Sequence, residues 1–258
     1  MRGDYMKYNT LRDYEAFLKK GMAASSAISY RKCVDTLLND QYIMDCKNID
    51  FDLILHKFEA MKHKNQYSKY KSALLKFCEF QDIKLDNDFL LKLNLMKLDK
   101  KKQRRKLKEV DLKDINNHMR VIRDKKLKLS YQTMLNKGLR VSELSQIGKD
   151  DCVIDSDKIE MSFIGKGGNL ESVIILKNEN ETLYQNLSLL IHDSNDKVFY
   201  SANYLQMNAN GFACHDLRRA FAKLEYEKNK SLNQTAEKLR HKNKNNTKIY
   251  TNSKVKIK

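Results

Sequence analysis

Proline and tryptophan are absent from this chain of 258 residues, glycine is scarce at eight, and five cysteines are scattered along it. Lysine, asparagine and isoleucine are abundant instead, a bias that an AT-rich genome produces, so the missing prolines carry little functional weight. The cysteines (Cys33, Cys46, Cys78, Cys152 and Cys214) are odd in number and contain no C-x-x-C. That excludes a disulfide framework or a zinc site and reads as reduced core thiols in a cytoplasmic protein. No apolar run approaches the roughly 20 residues of a membrane span, and no charged-then-apolar leader opens the chain. Acidic residues are also short: 33 Asp+Glu face 50 Lys+Arg, a formal charge of +17. Such an excess suits a polyanionic partner, and without a membrane segment it favours nucleic acid. A hydrophobic content of 41% supports globular folding, as one large or two moderate domains.

Residues 1–96 read as a small helical domain of four helices. Ser25 and Ser26 are candidate caps for a helix carrying Ala27, Tyr30, Val34 and Leu37 at helical spacing. Gln66–Phe80 repeats the pattern with Tyr70, Ala73, Leu74 and Phe77, and weaker helices fit Leu11–Lys20 and Phe51–Met61. Residues 97–109 then form a basic linker containing Lys100, Lys101, Lys102, Arg104 and Arg105. Charges this dense repel one another; the segment is either a solvated tether or one that lies along phosphates. Residues 110–258 are mixed. Helices fit Leu112–Arg123, Lys126–Asn136, Asp216–Lys228 and Leu232–Arg240. Lys158–Ile164 and Ser172–Leu176 alternate like strands around Gly165-Lys166-Gly167-Gly168, a hairpin signal. The expected class is mainly α with a small β-sheet (α+β).

Four short stretches carry candidate chemistry. Gly138-Leu139-Arg140-Val141-Ser142-Glu143-Leu144 puts Arg140 at a helix start with Glu143 one turn on. Lys166 sits at the hairpin tip. In His215-Asp216-Leu217-Arg218-Arg219, His215 and Arg218 share a helix face while Arg219 points elsewhere. Leu239-Arg240-His241 is followed nine residues after its histidine by Tyr250. Each has a bland alternative: a surface arginine, a solvated lysine, a packing tyrosine. Together a guanidinium that clasps phosphate oxygens and an imidazole that moves a proton suit a phosphodiester.

The ordered series Arg140, Lys166, His215-x-x-Arg218, His241, Tyr250 resembles the catalytic domain of the tyrosine recombinases, the phage-integrase family, over roughly Val110 to Tyr250. GLRVSEL is similar to that family's first arginine box, HDLRRAFA to its His-x-x-Arg box, and L-x-H with Tyr nine residues on to its closing box. The resemblance implies a helical core-binding domain preceding the catalytic domain, the two clamping a duplex with the basic linker crossing its backbone. It implies attack by Tyr250 on DNA phosphorus to give a 3′-phosphotyrosyl link and a free 5′-hydroxyl. Arg140 and Arg218 would hold the phosphate, Lys166 would act as general acid, His215 would assist proton transfer, and His241 would donate a hydrogen bond; Glu143 would support them. No metal or nucleotide cofactor is called for. Implied partners are double-stranded DNA bearing two recombination sites, a homo-tetramer assembled on it, and an accessory DNA-bending or directionality protein, without a membrane. The expected task is integration or excision of a mobile element in the bacterial cytoplasm, at the nucleoid. Lys69, Lys71, Lys76 and Arg240 join the linker as candidate DNA contacts.

Three departures from the family stand out. Arg240 replaces the usual glycine before the second histidine. Asn169-Leu170-Glu171-Ser172 stands where basic residues are common. The stretch from Phe199 to His215 is short, so that a base-reading helix there is reduced or absent. The tail Ser253–Lys258 alternates like an edge strand. Rival readings are a type IB topoisomerase or telomere resolvase, a non-cutting DNA-binding regulator of the same fold, and a basic membrane-surface or ribosome-associated protein.

Overall fold

The computed structural model describes residues 2–39, 49–99, 110–241, 243–252 and 255–256. Cys46 and the linker residues Lys100, Lys101, Lys102, Arg104 and Arg105 lie outside the described residues. The chain divides into two compact units, Met1–Arg105 and Lys106–Lys258.

The first unit holds α1 (Arg2–Lys19), α2 (Ala24–Leu38), α3 (Phe51–Ala60), α4 (Lys64–Phe80) and α5 (Asn87–Asp99). This is one helix more than the sequence pattern predicts. In α5, Phe89 and Leu93 are buried while Leu91 and Leu95 are exposed, so apolar residues on several faces blur the stripe. A second correction concerns α2. Its N-cap is Ala23, with no side-chain cap, and Ser25 and Ser26 lie inside the first turn. The missing cap forgoes about 1 kcal/mol. Val34, Leu37, Phe58, Leu74 and Phe77 are fully buried, each worth about 1.5–3 kcal/mol, so packing rather than capping holds this unit. Two buried tyrosine hydroxyls donate across it, Tyr14 to the Ala73 carbonyl (2.8 Å) and Tyr67 to that of Leu93 (2.6 Å).

The second unit runs β1 (Val110–Asp111), α6 (Leu112–Val121), α7 (Lys125–Lys137), α8 (Val141–Leu144), β2 (Cys152–Ile154), β3 (Lys158–Ile164), β4 (Leu170–Leu176), α9 (Glu181–Asp193), α10 (Ala202–Met207), α11 (Cys214–Asn229), α12 (Leu232–Lys238), α13 (Lys244–Thr251) and β5 (Val255–Lys256). Strands β2, β3 and β4 form an antiparallel sheet in that order. Ile159, Met161, Phe163, Val173 and Ile175 alternate inward to the core. Strand β2 lacks a pattern of its own, and β4 starts two residues before the expected Ser172. The predicted hairpin turn is present, closed by Gly165 N–H to the Asn169 carbonyl at 2.8 Å. The short Phe199–His215 stretch keeps the six-residue helix α10. β5 pairs in parallel with β1, Val255 opposite Val110, so the tail strand docks on a small sheet of its own chain. Together these units are mainly α with a small β-sheet.

Candidate active site

α11 is the element on which the site is built. It is buried from Asp216 to Ala222 against the core and presents His215 at its solvent-accessible first turn. Asp216 caps the helix by accepting from the Ala213 N–H (3.0 Å) and also holds Arg219 at 2.7 Å. Arg219 is thereby turned away from His215 and Arg218.

Arg140 is the N-cap of α8, and its placement starts two residues earlier. Gly138 ends α7 in the left-handed region (φ 60°), where a Cβ would stand 2.3 Å from the Phe221 ring. Only glycine suits both demands. Glu143, three residues on, accepts from the Arg140 N–H (2.8 Å) and from its guanidinium. Arg218 approaches the same carboxylate at 3.5 Å and Arg240 at 3.3 Å. Glu143 is nearly solvent-free. Burial would raise its pKa, but the Arg140 backbone and side chain and the Arg218 charge outweigh burial and hold it below the usual carboxylate range.

Arg218 is fully buried. Its terminal nitrogens donate to the carbonyls of Gly138 and Leu239, while its Nε has no hydrogen-bond partner among the described residues. It therefore ties the turn before Arg140 to the turn before His241. Burial first, then repulsion from Arg140, lowers its pKa to about 10, so it stays cationic at neutral pH.

α13 brings Tyr250 to this cluster. Its hydroxyl lies 2.7 Å from His215 Nε2, and its ring meets those of His215 and His241, each at 5.3 Å. Thr247, one turn earlier and fully buried, holds His241 Nδ1 at 2.8 Å. Burial and the Arg218 and Arg140 charges push the His241 imidazole down to about 4; burial and Arg218 also lower His215. Both imidazoles are neutral at pH 7, which lets His215 Nε2 accept the tyrosine proton.

The structure thus gathers Arg140, Glu143, His215, Arg218, His241 and Tyr250. Lys166 is exposed on the turn between β3 and β4. Sequence reasoning gave Thr247 and Glu171 no part in the site: Glu171 is distant in the chain from its partner Arg240, and the six-residue step from His241 to Thr247 matches no regular periodicity. Two of the three departures meet in space. Arg240, in the left-handed region (φ 55°), forms an ion pair with Glu171, its Nε 3.2 Å from Oε2 but without hydrogen-bond geometry. It is thus already engaged by two carboxylates. Of the lysines on α4, Lys71 bonds Asn94 Oδ1 (2.5 Å), Lys76 pairs with Glu79 (2.7 Å), and Lys69 is exposed. Among the described residues no group of three or more His, Cys, Asp or Glu side chains is placed to hold a metal ion, and no helix is long and apolar enough to cross a membrane.

No protein-family model matches this sequence, nor does any curated protein. Solved structures do resemble it. A lambda integrase(75-356) dimer bound to a COC' core site superposes with TM-score 0.65 at 15% identity, covering 95% of each chain. The Tn1549 transposon integrase in complex with circular intermediate DNA gives 0.59 at 14% identity, covering 93% of this chain and 94% of that one. XerH site-specific recombinase bound to palindromic difH substrate, a post-cleavage complex, gives 0.58 at 16%, covering 88% and 75%. At such identities the likeness is one of fold: this chain has the fold of these integrase and site-specific recombinase structures.

Proposed function

We propose that this chain is a site-specific DNA recombinase that cuts and rejoins strands through a covalent 3′-phosphotyrosyl intermediate on Tyr250, in the integration or excision of a mobile element. The observation that carries this reading is the Tyr250 hydroxyl at 2.7 Å from the neutral His215 imidazole, beside an arginine cluster with excess positive charge.

A DNA phosphodiester resists attack because it is anionic and its leaving alkoxide is poor. Arg140, whose side chain is 23% exposed, is the guanidinium open to a non-bridging oxygen, and the buried Arg218 adds its charge from beneath. As the Tyr250 oxygen forms its bond to phosphorus, its proton passes to His215 Nε2. The bond from phosphorus to the 5′-oxygen breaks, and the Lys166 ammonium protonates that oxygen. A Thr247 hydroxyl donating to His241 Nδ1 leaves Nε2–H to donate to the phosphate. Attack by a 5′-hydroxyl on the phosphotyrosine reverses each transfer and seals a strand.

In this reading residues 110–258 are the catalytic domain, residues 1–96 the core-binding domain and residues 97–109 the basic linker, and the linker's cations and Lys69 contact DNA phosphates. The partner is duplex DNA with two sites, bound by a homo-tetramer; a DNA-bound tetramer is the form of a lambda integrase on a Holliday junction with TM-score 0.64 to this chain. The test is incubation with nicked candidate sites and mass-spectrometric mapping of the trapped adduct. An adduct on any other residue, or one that survives Tyr250→Phe, would overturn the assignment.

A further inference from the structure

In the outer half of the Lys166 hairpin, from Ser162 to Ser172, Phe163 is the one side chain buried in the core. Strand β2 pairs with β3 only from Ile159 to Met161, so from Ser162 outward β3 and β4 form a two-stranded ribbon. Such ribbons are marginal in water without further packing. Its last rung, Ile164 opposite Leu170, is exposed on both strands. The rung before it, Phe163 opposite Glu171, is gripped from outside the sheet by Arg240.

That grip has three parts. The guanidinium carbon of Arg240 lies 5.3 Å from the Phe163 ring centroid, its Nε is 3.2 Å from Glu171, and its Nη2 is 3.3 Å from Glu143. The side chains of Arg240 and Glu171 are only 13% and 19% exposed, so their attraction is weakly screened. Gly165 supplies the room: a Cβ there would stand 2.4 Å from the Glu171 carboxyl. Glu143, at the far end, holds the Arg140 guanidinium. One cation thus joins the outer part of the hairpin to the carboxylate that positions the phosphate-facing arginine.

We propose that Arg240 is a positioning residue for Lys166. By gripping the Phe163–Glu171 rung it fixes the ribbon so that the lysine reaches the leaving 5′-oxygen as Arg140 holds the phosphate. The proposal rests on the strand-transfer reading above.

The test is single-turnover cleavage by the full chain on nicked DNA carrying either oxygen or sulfur at the bridging 5′ position. A 5′-thiolate leaves without protonation, so general-acid defects vanish on the sulfur substrate. Lys166→Ala is expected to lose about a hundred-fold on oxygen and little on sulfur. Arg240→Gly suits the backbone at φ 55° and is expected to fold; it and Glu171→Gln should lose about ten-fold on oxygen, again with sulfur rescue. Equal slowing on both substrates would mean a merely structural role, and no slowing would mean no role; either overturns the proposal, as does a Lys166→Ala defect that sulfur fails to rescue. A wild-type chain giving no Tyr250 adduct on either substrate would overturn the strand-transfer reading itself, and this inference with it.

Discussion

The Tyr250 hydroxyl and His215 Nε2 stand 2.7 Å apart although the two residues are 35 apart in the chain. A neutral imidazole can take the tyrosine proton and a protonated one cannot. His215 is held below its ordinary value by burial and by Arg218. Cleavage by this route is therefore expected to hold from neutral pH down to about 6.5 and to fall only as pH drops through the lowered value. His215→Gln should slow adduct formation by about a hundred-fold and leave DNA binding nearly intact. Single-turnover adduct formation against pH, with a gel-shift control, reads both; a rate that climbs on acidification sinks the base role.

His241 makes a stability prediction. Its folded-state value is about 4, below the roughly 6.5 of an unfolded histidine. The unfolded chain therefore binds the proton first, and stability present above about pH 6.5 drains away as pH falls toward 4. His241→Gln should flatten that limb of a plot of Tm against pH for the DNA-free protein. An unchanged acid limb would show that other groups govern it.

Removing Glu143 is expected to destabilise the fold as well as the reaction. The carboxylate answers Arg140, Arg218 and Arg240 at once, and stripping one partner from a buried charged network typically costs about 3–5 kcal/mol. Glu143→Gln should therefore lower the urea midpoint and must be compared with wild type at equal folded fraction. A variant as stable as wild type contradicts this account.

Gly138→Ala tests the turn that places Arg140. The positive φ and the Phe221 ring both oppose a side chain, and the Gly138 carbonyl is one of the two that hold Arg218. The expected loss is more than about 1 kcal/mol, accompanied by weaker cleavage. Calorimetry and adduct yield check it, and a neutral substitution would mean that the turn relaxes freely.

The tail offers a last prediction. Among the described residues β5 is two residues long and pairs with β1, shortly after α13 and its tyrosine in the chain. Deleting Lys254–Lys258 should disturb strand exchange more than simple DNA binding. Recombination of paired sites measured beside gel shifts decides it, and equal loss of both, or of neither, would rule the idea out.

Much of this site was legible because short-range periodicity fixes it. His215 and Arg218 lie three apart on a helix, Glu143 one turn beyond Arg140, and Lys166 in a glycine turn between alternating strands. The helix α5 was not, because leucines at Leu91 and Leu95 spoil the one-sided pattern that Phe89 and Leu93 would give. β2 is only three residues long, too short for alternation to register.

What the sequence by itself determined is the inventory and its order: a basic chain, mainly helical, with Arg140, Lys166, His215, Arg218, His241 and Tyr250 in local settings that suit a phosphodiester. What only the tertiary structure decided is who answers whom. Arg218 gives its terminal nitrogens to two carbonyls, Thr247 orients His241, and Arg240 and Glu171, two oddities when read along the chain, neutralise each other. The reason is physical: a charge removed from water needs a partner, and folding, which closes long loops, is free to find that partner far away in sequence.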